Sequence, residues 1–153
     1  LVDNKRSWYP LPKTAADGSI EEEHRGLEES KAEISRFINS FRLKTEQVSI
    51  IGGFSQGAAL SLSMLFNTYH KFYGCIALSG YMPSAEFYRD SNIMSSKIFI
   101  AHGFSDRAIS FDDYEKTYKF LSSKTKEINS YTGDFGHTVT KEVSQKVSEW
   151  LSN

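Results

Sequence analysis

The sequence predicts an α/β fold in which a mostly parallel sheet carries helices on both faces. Three apolar runs, at residues 47–54, 72–79 and 97–102, are rich in β-branched or small side chains and are predicted to be strands. Segments with helical spacing alternate with them along the chain. Most of these strands lack an alternation of polar and apolar residues, which is typical of parallel sheets that are buried on both faces.

The composition is that of a globular domain without a basic surface. The chain has 153 residues, and we expect residues 1–153 to form a single domain with one core. Lys plus Arg number 18 and Asp plus Glu number 19. This near-neutral balance does not indicate the positively charged surface with which proteins bind nucleic acid. No apolar run approaches the length of a membrane span, so no integral membrane contact is expected. The single cysteine, Cys75, excludes an internal disulfide and is compatible with a reducing compartment such as the cytoplasm.

The first forty residues are predicted to form an irregular segment followed by one long helix. Pro10 and Pro12 exclude a regular helix at the beginning of the chain. The acids at 21–23 suit the positive end of a helix dipole. No strand is expected before residue 47. A helix is predicted at 21–41 because apolar residues recur at helical spacing and define its inward face: Leu27, Ile34, Phe37, Ile38 and Phe41.

From residue 47 onward strands and helices alternate. Catalytic groups on a parallel sheet lie at the carboxyl ends of its strands, so reactive side chains are expected in the turns that follow them. The last helix is expected to turn four apolar residues inward: Val143, Val147, Trp150 and Leu151. The predicted elements are strands at 47–54, 72–79, 97–102 and 127–132, and helices at 55–68, 111–124 and 139–151.

The pattern Gly53-x-Ser55-x-Gly57 separates the first of these strands from its helix. A serine on a tight strand-to-helix turn has its hydroxyl directed outward, and such a turn requires small neighbours, which the two glycines supply. The helix N-terminus behind Ser55 offers backbone N–H groups to an anion, so the N–H of Gln56 is a candidate oxyanion donor. We interpret Ser55 as a nucleophile. The alternative is an ordinary glycine-containing turn in which the serine has no catalytic role.

Two further strand ends carry an acid and an imidazole. Asp106 ends the segment HGFSD at 102–106, and His137 ends the segment GDFGH at 133–137. The chain order Ser55, Asp106, His137 is that of the α/β-hydrolases. A neutral imidazole activates serine by taking its proton, and a carboxylate on the other ring nitrogen fixes the required tautomer.

Other side chains compete for two of these roles. Asp134 is a second candidate for the acid, although it lies only three residues before His137. His102 is a second candidate for the base, although a strand-end histidine before a glycine is more often packed or hydrogen-bonded within its loop. Asp106 can also be interpreted as a cap for the helix that begins near Ser110.

Several of these segments resemble the acyl-protein thioesterase and phospholipase/carboxylesterase family. The segment GFSQGAAL at 53–60 is similar to the nucleophile motif of that family, and ALSGYMP at 77–83 is similar to the sequence after its next strand. The patterns HGxxD at 102–106 and GxxGH at 133–137 resemble its acid and histidine segments. The segment SWY at 7–9 resembles an aromatic stretch of the family. The resemblance therefore begins at about residue 7 and continues to the C-terminus.

The resemblance implies an α/β-hydrolase that cleaves carboxylic esters, including small-molecule esters, lysophospholipids or thioesters of acylated proteins. It implies that Ser55, Asp106 and His137 are catalytic and that neither a metal nor a cofactor is needed. The alternative is a non-catalytic module of the same fold that binds a ligand without turnover.

Apolar residues after the second strand are candidates for the wall of an acyl pocket. Tyr81, Met82 and Phe87 follow that strand, and Trp8 lies in the aromatic stretch near the start of the chain. Ligand pockets usually have apolar walls with few polar groups. The alternative is that these residues are ordinary core and surface side chains.

The chain departs from the family pattern in two places. Arg107 follows the acid where the family usually has proline. The family also begins with further strands and a His-Gly-Leu-Gly-type loop that supplies a second oxyanion donor, and no such segment precedes Leu1. We therefore expect the N-terminal strands of the fold to be absent from this chain. A second chain or segment is then expected to complete the sheet beside residues 47–54, which would otherwise be an unpaired apolar edge.

Overall fold

The computed structural model describes residues 7–11, 13–14, 20–21, 24–41, 50–66, 70–90, 93 and 96–153. The chain forms two compact units, Leu1–Gln47 and Val48–Asn153. The first three residues of the predicted strand at 47–54 and the last two residues of the predicted helix at 55–68 lie outside the described residues.

The first unit contains two short strands and one long helix. β1 (Lys13–Thr14) and β2 (Ile20–Glu21) pair antiparallel. The prediction of no strand before residue 47 is therefore wrong, because a ladder with two residues per strand is too short to leave a periodic pattern in the sequence. α1 spans His24–Ser40, so it begins after the predicted start at residue 21 and has no acid in its first turn.

The buried face of α1 differs from the predicted one. Leu27 is buried as expected, but Phe37 and Phe41 are 64% and 59% exposed and contact each other edge to face. The hydroxyl of Ser30 donates to the backbone carbonyl of Trp8, so this part of the helix packs through polar groups rather than an apolar stripe. The remaining buried residues of α1 are polar or charged: Ser30, Lys31 and Ser35.

The second unit is built on a four-stranded parallel sheet, which confirms the predicted α/β class. Every pairing in this sheet is parallel, and the strands lie side by side in chain order. They are β3 (Ile50–Phe54), β4 (Gly74–Leu78), β5 (Lys97–Gly103) and β6 (Ile128–Gly133). The helical elements are α2 (Gln56–Met64), a short 3-10 turn (Ala85–Tyr88), α3 (Phe111–Ser122) and α4 (Lys141–Leu151).

Alternate residues of β5 pack against helices on opposite faces of the sheet. Phe99 and Ala101 form a buried cluster with Val143 of α4. The ring of His102, by contrast, lies 5.5 Å from the ring of Tyr114 in α3. Helices therefore cover both faces of the sheet, as the sequence predicts.

Most of the residues that were predicted to form the inward face of α4 do pack against the sheet. Val143 is 1% exposed, and Val147 and Trp150 pack against the same cluster. Leu151, the final residue of α4, is 52% exposed, contrary to prediction. None of the helices in the described ranges is both long and apolar enough to cross a lipid bilayer.

β3 is an edge strand within the described part of the chain. It pairs with β4, and its residues alternate between exposed and half-buried. Ile50 and Phe54 are 40% and 38% exposed, whereas β5 is buried along nearly its whole length. β3 thus combines the apolar composition of an interior strand with the position of an edge strand.

Candidate active site

Ser55 occupies the turn between β3 and α2 in a backbone conformation that non-glycine residues rarely adopt. Its φ is 55° and its ψ is −123°, and such strain costs roughly 1–3 kcal/mol. The amide of Ser55 donates to the carbonyl of Leu78 at 2.9 Å, and its carbonyl accepts from the amide of Ala58 at 2.9 Å. Hydrogen bonds on both sides therefore hold the strained serine at the carboxyl end of β3.

Two glycines allow the turns of this region to approach α2 closely. A Cβ on Gly53 would lie 2.3 Å from the carbonyl carbon of Gly57. A Cβ on Gly80, in the turn after β4, would lie 2.5 Å from the Cβ of Ala58. Any side chain at either position would push the turn away from the helix that begins beside Ser55.

The side chains of Ser55, His137 and Asp106 form one continuous hydrogen-bonded chain. Nε2 of His137 lies 2.9 Å from Oγ of Ser55, and Nδ1 lies 2.7 Å from Oδ2 of Asp106. Because an ionised carboxylate only accepts hydrogen bonds, the imidazole proton belongs on Nδ1, and Nε2 can accept from the serine hydroxyl. The structure thus brings together the three residues that the sequence predicts as nucleophile, base and acid.

The carboxylate of Asp106 is buried, and both of its oxygens accept hydrogen bonds. Its side chain is 0% exposed. Oδ1 accepts from the backbone amides of Ala108 and Ile109 at 2.8 and 3.0 Å, and Oδ2 accepts from His137. Burial raises the pKa of this carboxyl, but the hydrogen bonds from Ile109, His137 and Ala108 outweigh burial and leave the pKa below its ordinary value. Asp106 is therefore an anion at neutral pH.

Ser105 joins the turn after β5 to the turn after β6. Its amide donates to the carbonyl of Phe135 at 3.1 Å, and its hydroxyl donates to Oδ1 of Asp134 at 2.8 Å. The sequence did not identify this residue as part of the site. Because the two turns carry Asp106 and His137, these bonds help to set the distance between the carboxylate and the imidazole.

The residues that compete for the acid and base roles have other partners. The carboxylate of Asp134 accepts from the hydroxyl of Ser105 in the neighbouring turn, while Nδ1 of His137 is directed to Asp106. Nε2 of His102 lies 3.0 Å from the backbone carbonyl of Ile109. The N-cap of α3 is Ser110 rather than the aspartate four residues earlier.

Phe54 contacts the imidazole of His137, which the sequence did not predict. The two ring centroids are 4.7 Å apart, and the rings are inclined by 46°. The only signal in the sequence is a large aromatic residue directly before Ser55, in a turn that otherwise requires small residues. Its contact with a histidine from a distant segment depends on the arrangement of β3 and β6 in space.

The four residues predicted to line an acyl pocket differ in exposure. Met82 is 7% exposed, and its amide donates to Oγ1 of Thr117 at 2.8 Å. Tyr81 is partly exposed, and Phe87 is 61% exposed. Trp8 belongs to the first unit and is 56% exposed. Their role in substrate binding stays a prediction.

Gln56 is the first residue of α2, so its backbone amide lies at the N-terminus of the helix, directly after Ser55. Its role as an oxyanion donor stays a prediction. Cys75 is buried in β4, and burial raises the pKa of its thiol, which makes it a poor nucleophile. Across the residues that the structure describes, no group of three or more His, Cys, Asp or Glu side chains is arranged to hold a metal ion.

Comparison with protein families places the chain in a known group. Residues 2–153 match the model of the family described as Phospholipase/Carboxylesterase. The chain belongs to this family. The match covers nearly the whole chain, including the turns after β3, β5 and β6, and it confirms the resemblance found in the sequence.

Individual members of the family show the same relationship. The chain is 35% identical over 124 residues to acyl-protein thioesterase 1 of Candida albicans, a match that covers 75% of this chain and 53% of that protein. It is also 35% identical over 124 residues to acyl-protein thioesterase 1 homolog 1 of Dictyostelium discoideum, covering 77% of this chain and 54% of that protein. The chain thus spans about half the length of these curated relatives.

Solved structures confirm the α/β-hydrolase fold. The crystal structure of acyl-protein thioesterase 2 from Zea mays superposes with a TM-score of 0.83 and 18% sequence identity. The superposition covers 95% of this chain and 71% of the maize chain. At this level of identity the similarity establishes the fold alone.

Replacing Asp106 by Asn should lower kcat for ester hydrolysis by up to about 10⁴-fold, because an amide at this position favours the wrong imidazole tautomer. Steady-state kinetics with an aryl ester measures the loss. Asp134→Asn is the matched control: its amide oxygen still accepts from Ser105, so kcat should change little. A larger loss in Asp134→Asn than in Asp106→Asn would assign the acid to Asp134.

Replacing His137 by Ala should abolish most of the ester hydrolysis, because Nε2 of this imidazole is the group placed to take the proton of Ser55. Steady-state kinetics at neutral pH, where the lowered pKa of Asp106 keeps its carboxylate ionised, measures the loss. His70→Ala is the control and should keep the wild-type activity, because His70 precedes β4 at the opposite end of the sheet. Full activity in His137→Ala, with activity lost in His102→Ala, would assign the base to His102.

Proposed function

We propose that this chain acts as a serine hydrolase that cleaves carboxylic esters or acyl thioesters. The hydrogen-bonded chain from Oγ of Ser55 through the imidazole of His137 to the buried carboxylate of Asp106 carries this proposal. A serine that is bonded to an oriented imidazole, on a strained strand-to-helix turn, is the arrangement of an activated nucleophile. Membership of the phospholipase/carboxylesterase family supports the same chemistry.

The first step of the proposed reaction transfers the acyl group to Ser55. Oγ attacks the acyl carbon while Nε2 of His137 takes the hydroxyl proton, and the carbonyl oxygen becomes an oxyanion. When the carbonyl re-forms, the bond to the leaving group breaks, and the proton on Nε2 passes to the departing alcohol or thiol. The anion of Asp106 holds the proton on Nδ1 and stabilises the imidazolium that forms in between.

The second step returns the enzyme to its starting state. Nε2 of His137 takes a proton from water, and the water oxygen attacks the acyl carbon. The bond to Oγ of Ser55 then breaks, the proton returns to Oγ, and the free carboxylic acid leaves. We propose that the backbone N–H of Gln56, directly after the nucleophile, donates to the oxyanion in both steps. Removing one such donor typically costs about 10²–10³-fold in rate.

The names of the family and of its members indicate the classes of substrate. The relatives in Candida albicans and Dictyostelium discoideum are named acyl-protein thioesterases, and the family description includes phospholipases. We propose small-molecule esters, lysophospholipids and thioesters of acylated proteins as substrates, without a metal or cofactor. Tyr81, Met82 and Phe87 are the proposed contacts of the acyl chain. The single buried cysteine suits a reducing compartment such as the cytoplasm.

A fluorophosphonate probe should label Ser55 covalently and abolish ester hydrolysis, because the probe reacts with activated serines. Peptide mapping by mass spectrometry identifies the labelled residue. Labelling should disappear in Ser55→Ala and become much slower in His137→Ala, which keeps the serine but lacks the base. A folded chain that binds an acyl ligand but is not labelled would instead be a binding module without turnover.

We also propose that a second chain or segment adds a strand to the edge of β3 that pairs with no strand among the described residues. The amide of Ser55 bonds to Leu78 of β4, so in a parallel ladder the amide of Gly53 also faces β4. The amides of Gly52 and Phe54 then face away from β4. An apolar strand with one row of unpaired backbone groups is a template for a further strand.

Residue-resolved hydrogen exchange of the purified chain tests this second proposal. With an added strand, the amides of Gly52 and Phe54 should exchange as slowly as those of Gly53 and Ser55, which serve as internal controls. Protection that increases with protein concentration would identify a second copy as the source of the strand. Fast exchange at Gly52 and Phe54 in an active monomer would show that β3 is a natural edge.

A further inference from the structure

A second histidine lies behind the carboxylate of the site. His102 is near the end of β5, and its residue and side-chain exposures are both 0%. The rings of Phe111 and Tyr114 lie with their centroids 6.3 and 5.5 Å from its imidazole. A buried imidazole among aromatic rings is costly unless its polar atoms have partners, so the contacts of its two nitrogens matter.

The two ring nitrogens of His102 have different surroundings. Nε2 lies 3.0 Å from the backbone carbonyl of Ile109 and 3.5 Å from Oδ2 of Asp106. Since a carbonyl oxygen can only accept, Nε2 carries the proton. Nδ1 is buried and has no hydrogen-bond partner among the described residues. The N–H of His102 is therefore directed at the turn that carries the acid.

Hydrogen bonds to both ends of that turn fix its conformation around the carboxylate of Asp106. Oδ1 of Asp106 accepts from the amides of Ala108 and Ile109, which requires the chain to fold back over the carboxylate. The same Ile109 residue is held from its carbonyl side by Nε2 of His102. The imidazole thus connects the far end of the turn to β5, the strand from which the turn begins.

We propose that His102 is a positioning residue for Asp106, and this inference rests on the proposed hydrolase function. Its Nε2–H holds the Ile109 carbonyl, which keeps the two amides on Oδ1 and leaves Oδ2 aligned with His137. Without this N–H, the Ile109 carbonyl loses its polar partner and the turn relaxes. The carboxylate then no longer holds the imidazole of His137 in position for Ser55.

Two amide substitutions of His102 distinguish the hydrogen bond donated by its Nε2–H from the packing contacts of its ring. The amide nitrogen of glutamine lies the same number of bonds from Cβ as Nε2, whereas that of asparagine corresponds to Nδ1. His102→Gln should therefore keep most of the wild-type kcat. His102→Asn should lower kcat by on the order of 10–100-fold with little change in KM, because small misplacements of a catalytic group have effects of this size.

A double-mutant cycle shows whether the effect passes through the acid. In the Asp106→Asn background, His102→Asn should cause little further loss of kcat, because the carboxylate that it positions is no longer present. Thermal unfolding of each variant monitors the fold. Equal kcat values for His102→Gln and His102→Asn, or additive losses in the double mutant, would show that His102 only fills space and would overturn the proposal.

A spectroscopic readout separates failure of this inference from failure of the proposed function. The Nδ1 proton of His137, hydrogen-bonded to Asp106, should give a downfield proton NMR signal in the wild type and in His102→Gln. The signal should be lost or shifted in His102→Asn. If the chain hydrolyses no ester but the signal still depends on His102 in this way, the hydrolase proposal fails and the positioning role stands. If the signal is the same in all three proteins, the positioning role is wrong.

Discussion

The turn that carries Asp106 must accommodate a buried negative charge, and much of the geometry of the site follows from that requirement. An unpaired buried carboxylate would cost several kcal/mol, so the chain folds back to place the amides of Ala108 and Ile109 on Oδ1. The other oxygen is left for His137, whose ring is thereby oriented with its free nitrogen toward Ser55. One desolvated anion thus determines the tautomer and the direction of the His137 ring.

The parallel sheet keeps the three reactive turns together. In each pair of neighbouring strands, the residue just after one strand donates its amide to a carbonyl at the end of the next strand. This continues the ladder beyond the strands, so the turns are connected at their bases and not only through their side chains. Glycine allows the turns after β5 and β6 to approach each other closely, since a Cβ on Gly103 would lie 1.9 Å from the carbonyl oxygen of Phe135. The three bonds are Ser55 to Leu78, Ser79 to Ala101 and Phe104 to Gly133, with lengths of 2.9, 2.8 and 2.9 Å.

The sequence by itself determined the fold class and the positions where reactive residues occur. Continuous apolar strands without polar alternation indicate a parallel sheet, and the carboxyl ends of such strands meet along one edge. That reasoning was sufficient to select Ser55, Asp106 and His137 as candidates, because each follows a strand. Local patterns were enough to identify these candidates because strand composition and turn chemistry act over a few neighbouring residues.

Only the tertiary structure decided which candidates meet. The spacing of Asp134 and His102 left both as competitors, and the hydrogen bonds of the folded chain direct them to Ser105 and Ile109 instead. The contact of Phe54 with the imidazole and the exposure of residues such as Leu151 were likewise settled by packing. The physical reason is that the direction of a side chain depends on the conformation of its turn and on partners from distant strands, and neither is contained in the local pattern of residues.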